Sequence, residues 1–99
     1  MAPARGRAAL REYFGGRPAD RLSRRLMANV LVTVVSPHAA TAVSYFSTHR
    51  VDGYTGGLVP AGPPVQIGHY ADRFRRTGGR WLLASRVLHL PFGGPTPRV

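Results

Sequence analysis

The chain contains no cysteine and no lysine, and only four acidic residues: Glu12, Asp20, Asp52 and Asp72. Without cysteine there is no disulfide framework, no thiolate metal site and no thiol nucleophile. No apolar run approaches the roughly 18 residues of a membrane span. The opening "MAPARGRAAL" is basic and never reaches an apolar stretch, so it does not read as a secretory signal. A soluble cytoplasmic protein without membrane contact is expected. With 99 residues the chain makes one small domain, and its core is thin.

Scarce acids leave a formal net charge of +10, which invites a nucleic-acid reading. All fourteen basic residues are arginine, however. Polyanion-binding surfaces ordinarily use lysine too, because an ammonium serves phosphate well as a point charge. Arginine alone, beside abundant alanine, glycine and proline, fits GC-rich coding and a solvated surface.

Along the chain, "ARGRAALREYF" at 4–14 puts Ala9, Leu10, Tyr13 and Phe14 on one side at helical spacing. "GGRP" then stops that helix. In "LMANVLVTVV" period two separates an apolar row, Leu26, Ala28, Val30, Val32 and Val34, from a mixed row, Arg25, Met27, Asn29, Leu31 and Thr33. "SPHA" turns the chain into the return strand "ATAVSYFSTHR". Residues 51–65 hold four glycines and three prolines and form no regular element. A loop of that length in a small domain is usually functional or mobile.

The segment 69–88 packs five arginines around a Gly-Gly pair. It reads as a hairpin whose glycines supply the positive φ angles of a type I′ turn. A two-residue turn pairs Thr77 with Arg80 and puts Tyr70, Asp72, Phe74, Trp81, Leu83 and Val87 on one face. His69, Arg73, Arg75, Leu82, Ala84, Arg86 and Leu88 fall on the other. The arginines do not interleave with aromatics as base stacking requires, so the strip is mainly the wet side of a hairpin. Helix, strand, strand, loop, strand, strand is an α+β unit with a twisted antiparallel sheet. Residues 91–99 read as a flexible tail.

Chemistry-bearing residues are few. His38, His49, His69 and His89 lie far apart without metal-ligand spacing, and no serine has a nucleophile-elbow context. No metal and no cofactor is expected. Asp72 lies between Tyr70 and Phe74 on an apolar strand face. There it is either a desolvated proton donor or the partner of a neighbouring arginine. Asn29 shares its row with Arg25. Its amide either satisfies backbone groups or orients a ligand carbonyl.

The ordered set "GRAALREYF", "SRRLMANVLV", "ATAVSYF" and "GHYADRFRRTGGRWLLASRVL" resembles the SnoaL-like branch of the NTF2-like superfamily, over nearly all of residues 5–90. The resemblance implies a curved antiparallel sheet enclosing a cone-shaped pocket, in a family of polyketide cyclases, steroid isomerases, dehydratases and a dehydrochlorinase. Fold alone does not give the reaction. "RLMAN" resembles a family strand written H-x-x-x-N, in which the histidine is a general base. Here Asn29 is kept and Arg25 replaces the base. Arginine does not deprotonate at working pH, but it can hold an anion or stabilise an enolate.

By the same resemblance, Asp72 matches the proton-donating aspartate of the steroid isomerases, and Arg86 matches a pocket arginine of the dehydrochlorinase-like members. Both can point inward only if the turn has an odd loop or a strand bulges. The family's domains carry two helices and a short strand ahead of "GRAALREYF". A partial domain over residues 1–90, an NTF2-like cone lacking those helices, is therefore expected.

Three functions follow. The leading one is a SnoaL-like domain with a pocket for a small, mostly apolar, carbonyl-bearing ligand, bound by Arg25, Asn29 and Tyr70, with catalysis by the chain itself left open. The second is a cyclase-, isomerase- or dehydratase-type enzyme using Asp72 as acid, with Arg25 or Arg86 stabilising the anion. The third is a basic nucleic-acid-binding module. The apolar rows imply a homodimer formed through the sheet.

If the arginines are a solvated surface, DNA affinity is weak, non-specific and abolished by added salt. Filter binding at about 150 mM salt checks this. Sub-micromolar, sequence-selective binding, lost in Arg73→Ala with Arg75→Ala, would instead establish the nucleic-acid module.

Overall fold

A computed structural model describes residues 4–93. Helix α1 (Gly6–Gly15) precedes four strands, β1 (Leu22–Ser36), β2 (Ala39–Val51), β3 (Gln66–Thr77) and β4 (Arg80–Phe92). They form one curved antiparallel sheet in the order β1-β2-β3-β4, an α+β arrangement. Each strand pairs with its sequence neighbour, through short turns at β1–β2 and β3–β4 and a longer connection at β2–β3. Gly78 and Gly79 take φ of 58° and 75° at the β3–β4 turn, where Thr77 pairs with Arg80. Residues 52–65 carry no regular element. β4 takes in Pro91 and Phe92, the first two residues of the expected tail. Its last six, 94–99, lie outside the described residues.

The sheet has one buried face. On β2, Ala40, Ala42, Ser44, Phe46 and Thr48 are buried while Thr41, Val43 and Tyr45 between them are exposed. On β3, Gln66, Gly68, Tyr70 and Asp72 are buried on the same side. Arg73 and Arg75 point the other way and are exposed. Among the described residues α1 makes no close backbone approach to any strand. Ala9 and Tyr13 are half-buried, whereas Leu10 and Phe14 stay exposed.

Two expectations about faces fail, each at a bulge. Strict alternation through β1 breaks between Ala28, paired with Tyr45, and Leu31, paired with Val43. The extra residue is absorbed at Asn29, whose φ is 52°. Asparagine tolerates this left-handed region better than most non-glycine residues, as an opening bulge residue must. The inner row is therefore Arg25, Met27, Val32 and Val34. Leu26 and Ala28 share the outer side with Leu31 and Thr33.

On β4 the register slips between Arg73–Ser85 and Phe74–Leu83, leaving Ala84 as the extra residue. Simple hairpin parity placed Arg86 and Leu88 with Arg73 and Val87 with Asp72. The bulge reverses this, setting Arg86 opposite Asp72 and Leu88 opposite Tyr70 on the inner face. This is the strand bulge that the two carried-over site positions required.

Gly68 marks the tightest point of the sheet. A Cβ there would fall inside the His89 carbonyl oxygen and 3.1 Å from Cζ of Phe46. The obstacle on one side is backbone, which cannot rotate away. Gly68→Ala is expected to lower stability by about 2 kcal/mol or more, measured as a reduced urea midpoint with unchanged slope.

Candidate functional site

Arg25 lies on the inner face of β1 opposite Thr48. Its Nε donates to Thr48 Oγ1 at 2.8 Å, its Nη2 to Gln66 Oε1 at 3.0 Å, and its Nη1 to the Tyr70 hydroxyl. The three acceptors come from β2 and β3, and none is charged. Thr48, Gln66 and Tyr70 are 0%, 1% and 5% exposed, so a cation enters this row only because neutral oxygens replace its water. The guanidinium lies 4.4 Å above the Phe46 ring and 5.7 Å from that of Tyr70. The two rings stack at 4.7 Å.

The second arginine of the face grips the carboxylate. Arg86 Nε donates to Asp72 Oδ1 at 2.8 Å and Nη2 to Oδ2 at 3.1 Å. It also stands 3.9 Å over the Tyr70 ring. The hydrogen bond to Asp72 raises the Arg86 pKa, against the opposing pull of burial. Both Asp72 oxygens are acceptors in this pair. Of the two roles open to Asp72, the geometry shows the ion pair.

Tyr70 touches both arginines, so Arg25, Tyr70, Asp72 and Arg86 form one continuous row. Asn29 stands apart from it: it occupies the exposed bulge and joins none of these hydrogen bonds. Thr48 and Gln66 belong to the row but carry no motif that singles them out. For Thr48 the one signal present in the sequence is that polar Ser44 and Thr48 flank Phe46 on the same row of β2.

Toward the β2–β3 connection, Arg50 follows Thr48 on the inner side of β2, opposite Ser23. Arg21 stands just before β1 and donates from Nε to Asp52 Oδ1 at 2.7 Å. Burial and then the like charge of Arg21 lower the Arg50 pKa, while Asp52 opposes them. At the opposite end a cleft of about 440 Å³ is bordered by Val35, His38, Ala40, Phe74 and Arg76.

His69 and His89, distant in sequence, pair across β3 and β4 and stack at 4.3 Å. Among the described residues no three histidine or acidic side chains converge as a metal site would need. None of the described helices is long and apolar enough to cross a membrane.

A sequence model of the SnoaL-like domain matches residues 1–87. The chain belongs to the SnoaL-like domain family. This places it in the NTF2-like superfamily, in agreement with the curved antiparallel sheet. Comparison with curated proteins gave no significant match, and neither did comparison with solved structures.

Within this SnoaL-like domain the two partners of the ion pair differ in exposure. The Asp72 side chain is 4% exposed and that of Arg86 40%. Removing the cation strands a buried carboxylate, whereas removing the anion leaves a guanidinium that reaches water. Arg86→Gln should therefore destabilise by about 3 kcal/mol and Asp72→Asn by only about 1 kcal/mol. The double variant should be more stable than Arg86→Gln alone. Chemical denaturation of the four proteins at neutral pH checks the order.

Proposed function

We propose that this SnoaL-like domain binds a small, mostly apolar, carbonyl-bearing molecule on the inner face of its sheet. Support comes from one observation: the Arg25–Tyr70 contact beside Phe46. Tyr70 accepts a hydrogen bond from a guanidinium there and keeps its own O–H to donate. A phenol polarised in this way is a better donor to a carbonyl oxygen, because linked hydrogen bonds strengthen one another. Apolar side chains along the same face, Met27, Val32 and Val34 on β1 with Trp81 and Leu83 on β4, are exposed and suit the body of such a ligand.

Catalysis is not part of this proposal. By the resemblance of "RLMAN" to the family strand, Arg25 stands where the histidine base would be, and a guanidinium cannot take up a proton at working pH. Asp72, the matched acid, has both oxygens engaged by Arg86. A second copy of the chain, covering the exposed outer residues Leu26, Leu31, Val43 and Tyr45, completes the proposal as a homodimer.

Titration with prodan, an apolar fluorescent ketone whose emission reports its surroundings, tests the binding mode. Saturable binding with a blue shift is expected, weakened about tenfold in Tyr70→Phe. Absence of a saturable signal, or equal binding by the phenylalanine variant, counts against the carbonyl contact.

A further inference from the structure

The inner face ends in a corner richer in guanidiniums than in acidic side chains. Arg21, Ser23 and Arg25 follow one another at alternate positions, and Arg50 stands opposite Ser23. Arg17 joins them electrostatically, since its charge, with those of Arg21 and Arg25, bears on Arg50. Against these four guanidiniums the whole chain offers four side-chain carboxylates, of which Asp72 is committed to Arg86. Asp52 is ion-paired in the corner, with a side chain 65% exposed. Even with Glu12 and Asp20 added, cations would outnumber anions.

The charge is also held away from water. The side chain of Arg21 is only 10% exposed. Arg25 spends three of its donors on the neutral oxygens of Thr48, Gln66 and Tyr70. Those bonds position the guanidinium without cancelling its charge. Burial and like charge together depress the Arg50 pKa, a repulsion that an incoming anion relieves. The corner is fixed on three sides: Tyr54 N–H donates to the Asp20 carbonyl, Val65 N–H to that of Thr48, and Arg21 holds Asp52.

We propose that Arg21, Arg25 and Arg50 form an anion subsite that takes the carboxylate of an apolar carboxylic acid. It rests on the same inner face being the ligand floor and extends that floor to a charged end. Planar guanidiniums match a carboxylate with paired N–H donors. The next inner-row residues of β1, Met27 and Val32, are 47% and 57% exposed, leaving an open apolar track for the tail. An inorganic anion would use the corner but gain nothing from the track.

Calorimetric titration with octanoate, methyl octanoate and inorganic phosphate tests this. Octanoate should saturate, the ester should bind at least about tenfold more weakly, and phosphate should not saturate over the same range. Arg50→Gln should weaken octanoate about tenfold while leaving prodan binding intact. Arg73→Gln, on the outer face, should change neither. If Arg50→Gln does not fold, Arg50→Lys replaces it, keeping the charge without the fork, and intermediate affinity is expected. Methyl octanoate binding as well as octanoate would overturn the anion subsite and leave the carbonyl contact standing. Phosphate saturating alongside octanoate would reduce the corner to a plain basic patch and overturn it too. No octanoate binding, or octanoate binding unaffected by the Arg50 variants, would equally sink it. Loss of prodan binding alone would remove the carbonyl contact and spare the carboxylate.

Discussion

The Arg25 guanidinium ties three strands together, and the inner face is organised around it. From β1 it bonds Thr48 on β2 and Gln66 and Tyr70 on β3, and its flat surface covers Phe46. Arg86 repeats the arrangement from β4, over Tyr70 and against Asp72. Helix α1 makes no close backbone approach to the sheet among the described residues, and arginine side chains lie over the two aromatic rings. Phe46 and Tyr70 are 2% and 5% exposed. A cation over an aromatic face contributes about 0.5–2 kcal/mol, and the arginine stem buries apolar surface besides. Arg25 Nε, Nη1 and Nη2 and Arg86 Nε and Nη2 each meet an oxygen; a buried donor left without one would reverse the balance.

Two single-residue bulges determine which side chains share that face. Without the slip at Ala84, Arg86 would point outward and Asp72 would be a buried carboxylate with no cation opposite it. Without the slip at Asn29, Val32 and Val34 would turn outward, away from Ala42 and Ala40. Bulges also increase local twist, which suits a sheet that curves around its own inner face.

Much of the architecture was legible because its signals are local. Period-two alternation marked the strands, "GG" marked the type I′ turn, and the run of glycines and prolines marked the long connection. The bulges were harder. Asn29 carried a readable clue, since asparagine is enriched at positive φ, yet its neighbours continue the alternating pattern and conceal the break. Ala84 carried none, because alanine fits a strand as readily as a bulge. Its position follows from Asp72 and Arg86 meeting across strands, a non-local contact that parity along one strand cannot show. The sequence singles out Arg25, Asn29 and Tyr70; the register brings Arg25 and Tyr70 into contact and leaves Asn29 apart. Thr48 and Gln66 entered only when β2 and β3 came into register against β1.

Charge economy explains why the inner face is polarised from end to end. A chain with fourteen arginines and four acids cannot pair its cations, so most must face water, as Arg73 and Arg75 do. The inward-turned ones need other solutions, and the face uses three. Arg86 takes the one acid buried on the sheet. Arg25 takes neutral oxygens and aromatic surface. Arg21 and Arg50 gather beside the connecting loop, where the exposed Asp52 offsets them in part. Beyond Arg25 the same rows turn apolar through Met27, Val32 and Val34. The gradient from cationic corner to aliphatic floor is thus set by where the few acids lie, and a molecule with a polar head and an apolar body is its natural complement.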